Sequence, residues 1–195
     1  MLITVEGLDG AGKSTLIAGL AKALEPVTVL REPGGVEVSE RIRSLLADPA
    51  LEIDARAEAL LYAAARAQLV AQKLRPLLED GGTVLLDRFV DSSLAYQGAG
   101  RSLGVNEIRT LNDFATGGLR PDRTLLLRIS PEAGLARISD RPADRLEQED
   151  GAFFAAIARA YDELAAAEPD RFAVIDASQP PDAVLAAALA ALQSS

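Results

Sequence analysis

The stretch Gly7-Leu8-Asp9-Gly10-Ala11-Gly12-Lys13-Ser14 fits the pattern G-x-x-x-x-G-K-[ST]. The apolar run 2–5 before it predicts a buried strand, and the pattern of residues 14–24 after it predicts a helix. In this context the glycines let backbone amides turn inward, and the helix N-terminus adds positive charge, so the loop is suited to hold phosphates. The alternative is an ordinary glycine-rich turn, in which the glycines, the lysine and the serine coincide by chance.

Short apolar runs alternate with helical patterns along the rest of the chain. Further strands are predicted at 27–30, 83–86, 124–129 and 172–175. Helices are predicted at 14–24, 37–46, 55–78, 105–115, 131–137, 151–167 and 181–192, with Pro76 expected to end or bend the longest one. This alternation predicts an α/β fold with a five-stranded parallel sheet, helices on both faces, and ligands at the carboxyl ends of the strands.

The composition excludes several classes of chemistry. The 195 residues favour one domain over 1–195, and they include no cysteine and no histidine. Histidine-dependent hydrolase triads and the usual transition-metal sites are therefore excluded. The net charge of -9 disfavours a broad nucleic-acid surface, although a small anionic substrate could bind in a local positive pocket.

The location is predicted from two apolar segments. The N-terminal strand leads directly into the glycine-rich loop, without the basic start and long apolar core of a signal peptide. The longest apolar run, 184–192, is about half of the ~20 residues that a membrane-spanning helix needs. We therefore expect a cytoplasmic protein that does not insert into a membrane.

A phosphate-binding loop is shared by many enzymes and does not specify the reaction. The guanine-reading sequence Asn-Lys-x-Asp does not occur. The predicted third strand ends in Leu85-Leu86-Asp87-Arg88, instead of the Asp-Glu pair common in ATPases that activate water. An arginine beside this aspartate suits an anionic phosphate acceptor.

The chain resembles the thymidylate kinases over nearly its whole length, in five segments that occur in the family's order. They are Glu6-Gly7-Leu8-Asp9-Gly10-Ala11-Gly12-Lys13-Ser14-Thr15, Arg31-Glu32-Pro33-Gly34-Gly35, Tyr62-Ala63-Ala64-Ala65-Arg66, Asp87-Arg88 with Ala95-Tyr96-Gln97-Gly98, and Asp144-Arg145-Leu146-Glu147. The resemblance implies a P-loop NTPase fold like that of nucleoside monophosphate kinases. It implies a P-loop at 7–14, an acceptor-binding region at about 31–101 and a short lid at about 137–149.

The resemblance also implies the reaction. ATP with Mg2+ would phosphorylate dTMP to dTDP, and the protein would be a homodimer. The nearest alternative is a kinase for another nucleoside monophosphate or for a deoxynucleoside. The latter needs a base for its hydroxyl, and Glu6 or Glu32 are candidates. A nucleotide-dependent switch is the alternative from another class, but the missing guanine motif and the arginine-rich lid argue against it.

The resemblance assigns most acceptor-binding residues. Tyr62 would stack on thymine, Arg66 would hydrogen-bond the base, Ser93 would contact the base edge and Tyr96 would crowd the ribose 2' position. The four-residue spacing of Tyr62 and Arg66 places both on one face of a helix. The alternative is that the tyrosines are core aromatics and Arg66 is a surface residue. The complete predicted substrate set is Asp9, Arg31, Pro33, Tyr62, Arg66, Arg88, Ser93 and Tyr96.

The predicted transfer machinery consists of cations. Arginine is absent from the P-loop and present in the lid, which resembles the bacterial arrangement of the family. The alternative is that the lid arginines lie on a solvated helix and pair with neighbouring carboxylates. The predicted catalytic residues are Lys13, Arg88, Arg141 and Arg145. The predicted ATP-binding residues are Gly7, Leu8, Asp9, Gly10, Ala11, Gly12, Lys13, Ser14, Thr15 and Arg137.

Two residues are predicted to support magnesium. Ser14 is the P-loop hydroxyl, and Asp87 stands at the end of a buried strand, where it would orient metal-bound water. The alternative for Asp87 is a helix cap or a pair with Arg88. Asp9 would reach the acceptor's 3' hydroxyl, Arg31 would add positive charge, and the resemblance implies a cis peptide bond before Pro33.

Overall fold

The computed structural model describes residues 1–138 and 145–193. It contains a five-stranded sheet in the order β2-β3-β1-β4-β5, and every pair of neighbouring strands is parallel. The predicted five-stranded parallel sheet is therefore confirmed. The strands are β1 (Leu2–Gly7), β2 (Thr28–Arg31), β3 (Val84–Asp87), β4 (Arg123–Arg128) and β5 (Phe172–Asp176).

The central strands form the core because both of their faces are covered. All six residues of β1 are buried, as expected for a strand between two layers of helices. The edge strands are less protected, since Val29 of β2 is 44% exposed and Val174 of β5 is 51% exposed. Burial at the centre thus places the carboxyl end of β1 deep in the molecule.

The helices cover the sheet. Helix α1 packs against β1, β2, β3 and α9, while α8 packs against β4 and β5. The helices are α1 (Lys13–Ala23), α2 (Glu37–Ala47), α3 (Ala55–Leu69), α4 (Arg75–Glu79), α5 (Val90–Ser93), α6 (Val105–Thr116), α7 (Pro131–Ala136), α8 (Gly151–Ala167) and α9 (Pro181–Gln193). Among the residues described, none of these helices has both the length and the apolar character needed to span a membrane.

Two helical features differ from the sequence prediction. The helix predicted over 55–78 is interrupted by a π-helical segment, Val70–Leu74, and continues past Pro76 to Glu79. Pro76 lies at the start of α4, where its missing N–H costs little. A second helical stretch was not predicted at all: α5 is followed directly by the π-helical segment Leu94–Gly100.

Candidate active site

The glycine-rich loop joins the end of β1 to the start of α1. Gly12 precedes the helix with φ 92°, a left-handed conformation that glycine adopts readily. The buried Lys13 Nζ donates to the carbonyl oxygens of Gly7 (3.1 Å) and Leu8 (2.9 Å) and lies 3.7 Å from Asp9 Oδ1. Lys13 therefore lies against the loop backbone, beside the N-terminus of a helix.

The loop is in backbone contact with α7. A Cβ atom added to Gly10 would lie 2.0 Å from the carbonyl oxygen of Gly134, and one added to Gly134 would lie 2.6 Å from the carbonyl oxygen of Asp9. Gly10 also has φ 77°, in the left-handed region. The two segments can approach this closely only because neither glycine has a side chain.

A cavity covers the P-loop at the carboxyl ends of the strands, as the parallel sheet predicts. We call it the phosphate-loop pocket. It is lined by Asp9, Gly10, Gly12, Lys13, Ser14, Thr15, Arg31, Glu32, Arg43, Asp87, Arg88, Arg137, Ile138 and Glu147. Its lining includes both predicted metal-binding residues and seven of the ten predicted ATP-binding residues, but not Gly7, Leu8 and Ala11. Its cations are suited to bind polyphosphate.

A second cavity adjoins the first, and we call it the side pocket. The two share Asp9, Glu32, Arg43 and Arg88. The side pocket is lined by Asp9, Glu32, Pro33, Arg43, Leu46, Ala47, Tyr62, Arg66, Arg88, Ser92, Ser93, Tyr96, Gln97 and Leu146. Every predicted acceptor-binding residue except Arg31 therefore lines one cavity, and the Glu32-Pro33 peptide bond at its wall is cis.

Arg66 is held rigidly in the wall of the side pocket. Its side chain is 2% exposed, and Nε donates to Glu32 Oε2 at 2.6 Å. NH1 donates to Ser93 Oγ (2.9 Å) and to Asn112 Oδ1, and NH2 donates to the Phe89 carbonyl oxygen (3.0 Å). These contacts use four of the five N–H donors of the guanidinium. The alternative of a surface arginine is therefore wrong.

Arg88 lies where the two pockets meet. It has φ 66°, a left-handed conformation that costs free energy and is often found at functional sites. Its NH2 donates to Asp9 Oδ1 (2.7 Å) and to the Tyr96 hydroxyl (3.2 Å), and that hydroxyl donates to Asp9 Oδ2 (3.1 Å). Burial alone would raise the pKa of Asp9, but the charges of Arg88 and Lys13 outweigh it and hold the pKa below its ordinary value.

The buried carboxylate of Glu6 is linked to Arg88 through Ser92. Glu6 accepts from the Phe89 amide (2.7 Å), the Ser92 hydroxyl (2.5 Å) and the Tyr161 hydroxyl (2.9 Å). Ser92 Oγ in turn accepts from Arg88 NH1 at 3.0 Å. Burial raises the pKa of Glu6, and the nearby charge of Asp91 raises it further. Glu6 thus connects β1, the segment after β3 and α8.

Two other carboxylates that line the cavities each have a buried oxygen without a partner among the described residues. Glu32 Oε1 and Asp87 Oδ1 are buried, and among the described residues neither has a hydrogen-bond partner. Burial raises the pKa of Glu32 to about 7, although Arg66 opposes this shift. Burying an acceptor without a hydrogen bond costs free energy. Each oxygen is therefore expected to interact with a ligand, a metal ion or water.

The remaining predicted site residues lie in different places. Arg137 lines the phosphate-loop pocket and donates to the Ala177 carbonyl oxygen at 3.1 Å. Arg31 also lines this pocket, and both oxygens of Glu40 accept from it at 2.8 and 2.9 Å. Arg145 lines neither pocket and is ion-paired with Glu58 at 2.6 Å. Arg141 lies outside the described residues, as does Asp144 of the fifth family segment.

The sequence prediction missed several residues of the site. Arg43 lines both pockets and donates to the Pro33 carbonyl oxygen at 3.0 Å, and no local motif marks it. Tyr161 belongs to an apolar helical pattern that reads as core, so its hydrogen bond to Glu6 could not be inferred. Glu58 lines neither pocket, but it lies four residues before Tyr62 on the same helix.

Comparison with known proteins agrees with this geometry. The family model described as Thymidylate kinase matches residues 5–188. A thymidylate kinase of Lactobacillus delbrueckii subsp. bulgaricus is 48% identical over 98% of this chain and 95% of its own length. One of Deinococcus radiodurans is 50% identical over 93% of this chain and 91% of its own length.

A solved structure agrees as well. The crystal structure of thymidylate kinase from Ehrlichia chaffeensis superposes with a TM-score of 0.83 at 29% identity, covering 99% of this chain and 98% of that one. The two proteins therefore share their fold over nearly the whole chain. The chain belongs to the thymidylate kinase family.

Proposed function

We propose that this protein transfers the γ-phosphoryl group of ATP to dTMP, giving ADP and dTDP, a step of dTTP synthesis. One observation carries the site assignment: the phosphate-loop pocket and the side pocket meet at Asp9 and Arg88. A donor phosphate on the P-loop and an acceptor phosphate beside Arg88 would then face each other. Such alignment is the main requirement of phosphoryl transfer.

The reaction needs no strong general base. An oxygen of the dTMP phosphate attacks the γ-phosphorus, and the bond from that phosphorus to the β,γ-bridging oxygen breaks, leaving ADP. The acceptor phosphate has a second pKa of about 6 and is mostly dianionic at neutral pH. This chemistry agrees with a chain that has no histidine.

On the donor side, the P-loop amides and Lys13 would hold the β- and γ-phosphates, with Arg137 bordering the nucleotide. On the acceptor side, Arg88 would hold the dTMP phosphate, and Tyr62, Arg66, Ser93 and Tyr96 would surround thymine and deoxyribose. Four of the five N–H donors of Arg66 are used within the protein, and the remaining one suits a carbonyl oxygen of thymine. Arg141 completes the proposed catalytic set. Arg145, which the resemblance also implies as catalytic, lines neither pocket and is ion-paired with Glu58.

Magnesium fits the phosphate-loop pocket. Asp87 Oδ1 is buried without a hydrogen-bond partner among the described residues, and Ser14 lines the same cavity. No cluster of three or more acidic, histidine or cysteine side chains that could hold a metal occurs within residues 1–138 and 145–193. Ser14 and Asp87 would therefore hold Mg2+ together with the phosphates, as this ion prefers. When bound, Mg2+ offsets charge on the phosphate oxygens.

The acceptor is tested by measuring ADP release with ATP and Mg2+ and with dTMP, dUMP, dCMP, dAMP, dGMP or thymidine. We expect the highest kcat/KM with dTMP. Equal rates with all acceptors, or none, would contradict the proposal. Activity with thymidine above that with dTMP would support a deoxynucleoside kinase, for which Glu32 offers an unpartnered oxygen, whereas Glu6 is already fully hydrogen-bonded.

The pH dependence of ATP use is predicted from Lys13. Burial and the charge of Arg88 lower the pKa of Lys13 to about 8. Lys13 binds phosphate as a cation, so its contribution is present below this pKa and is lost as the pH rises through it. We expect kcat/KM for ATP, which reports ionisations of the free enzyme, to fall about tenfold per pH unit above about pH 8.

Lys13→Arg provides the control for this profile, because an arginine stays charged throughout the range. The variant should lose the alkaline decline even if its rate is lower at every pH. The raised pKa values of Arg88 and Tyr96 keep both groups from titrating here. An alkaline decline that persists in Lys13→Arg would assign the ionisation to another group.

We further propose a homodimer in the cytoplasm, where nucleotide substrates are available. Large apolar side chains are exposed on helices that pack together, namely α2, α3 and α6. Phe114 of α6 is 89% exposed, and Leu60 of α3 is 58% exposed. Exposed apolar surface of this kind favours association. Sedimentation velocity tests whether the particle has twice the chain mass of 20.5 kDa.

A further inference from the structure

Glu58 is a buried carboxylate outside the lining of both pockets. It lies on α3 and is 0% exposed. Its Oε1 accepts from Gln97 Nε2 (2.9 Å) and Arg101 Nε (3.4 Å), and its Oε2 accepts from Arg101 NH2 (3.2 Å). Arg145 NH2 forms an ion pair with the same Oε2 at 2.6 Å. Two arginines and an amide therefore converge on one carboxylate.

The position of Glu58 relates it to the side pocket. Glu58, Tyr62 and Arg66 follow each other at four-residue intervals, so they share one face of α3. Tyr62 and Arg66 line the side pocket, as does Gln97, which donates to Glu58. Glu58 thus extends the row of pocket residues by one helical turn.

The arginines that bind Glu58 connect it to segment 145–149, which lines the same pocket through Leu146. Arg145 Nε donates to the Leu46 carbonyl oxygen at 3.0 Å, and both Leu46 and Leu146 line the side pocket. Arg101 NH1 donates to Glu149 Oε1 at 2.6 Å. Residues at both ends of segment 145–149 are therefore tied to Glu58, one directly and one through Arg101.

We propose that Glu58 is a positioning residue for acceptor binding, which holds segment 145–149 against the rim of the side pocket through Arg145 and Arg101. The proposal rests on the side pocket being the dTMP site. A buried carboxylate without cations is strongly unfavourable, so the ion pairs keep Arg145 beside α3. Arg145 then contributes to dTMP affinity through its neighbour Leu146, and does not itself reach the transferred phosphoryl group.

The test compares substrate affinities in Glu58→Gln and Arg145→Ala. Calorimetry measures dTMP binding without ATP, and separately the binding of the β,γ-imido analogue of ATP. We expect both variants to weaken dTMP binding about tenfold and analogue binding less than twofold, because the lost charge-assisted contacts lie at the acceptor side. The double variant should bind dTMP about as tightly as the single variant with the lower affinity, since both changes remove the same link.

Two further variants make the comparison specific. Arg145→Lys keeps the charge and should restore dTMP affinity to within about threefold of wild type. Arg128→Ala removes an exposed ion pair with Asp162 (2.8 Å) away from both pockets and should leave dTMP binding unchanged. If Glu58→Gln does not fold, Arg145→Ala decides the question, because it leaves Glu58 paired with Arg101.

Other outcomes would overturn the proposal. A hundredfold loss of kcat in Arg145→Ala, with dTMP binding unchanged, would place Arg145 in phosphoryl transfer. A lower melting temperature with unchanged dTMP affinity in both variants would leave Glu58 a purely structural role. If wild type prefers another monophosphate, the proposed function fails, but the same titrations with that monophosphate still decide the role of Glu58.

Discussion

Replacing Lys13 with alanine is expected to lower kcat about a thousandfold. Lys13 is the cation at the P-loop, and charge that develops on the phosphate oxygens in the transition state would lose its nearest fixed partner. Initial rates of ADP formation at saturating ATP and dTMP give kcat. The melting temperature should not fall, because the lowered pKa of Lys13 shows that burying its charge is unfavourable.

Lys22→Ala is the matched control, since Lys22 lies exposed on the same helix. It should retain the wild-type rate. A loss smaller than tenfold in Lys13→Ala, or an equal loss in Lys22→Ala, would show that the P-loop lysine does not carry the proposed role.

The second large effect is expected from Arg88→Ala, which should lower kcat/KM for dTMP about a thousandfold. Arg88 lies where the pockets meet and would bind the acceptor phosphate with its planar fork. Its removal also leaves Asp9 without its 2.7 Å partner and places a carboxylate near the phosphates. Steady-state kinetics with varied dTMP at saturating ATP measures this loss.

Arg88→Lys should recover only part of the lost activity, because a lysine provides one compact charge instead of two aligned donors. Arg120→Ala serves as the control, since Arg120 forms an exposed ion pair with Asp113 at 2.8 Å. If KM for dTMP and kcat were both unchanged in Arg88→Ala, Arg88 would have no part in acceptor binding.

The sheet was predictable from the sequence because buried parallel strands leave continuous apolar runs between helical patterns. The helical stretch 90–100 was not predictable in the same way. Its sequence, Val-Asp-Ser-Ser-Leu-Ala-Tyr-Gln-Gly-Ala-Gly, contains residues that weaken helices, and it forms only one short α-helix followed by a π-helical segment. Packing against α6 and α8, which local preferences do not report, accompanies this conformation.

The candidate site was predictable where a motif fixes the residue type. The P-loop was found from its motif, and Tyr62 and Arg66 from the resemblance to the thymidylate kinases. The structure places them around two adjoining cavities. The partners of these residues were not predictable, because they come from distant segments. Glu32 with Arg66, and Glu58 with Arg145, are joined only by the tertiary fold. Their roles in binding stay predictions until the variants are measured, as does the organisation of 1–195 as one domain.

The contact between Gly10 and Gly134 limits how this enzyme can evolve. An added Cβ at either position would meet a backbone oxygen, at 2.0 Å or 2.6 Å, and no rotamer change of a neighbour can relieve such an overlap. A larger residue at one position is not made acceptable by any substitution at the other, since glycine is already the smallest choice. Random drift in a laboratory population under selection for growth should therefore leave both glycines unchanged, while the surrounding loop and helix accumulate substitutions.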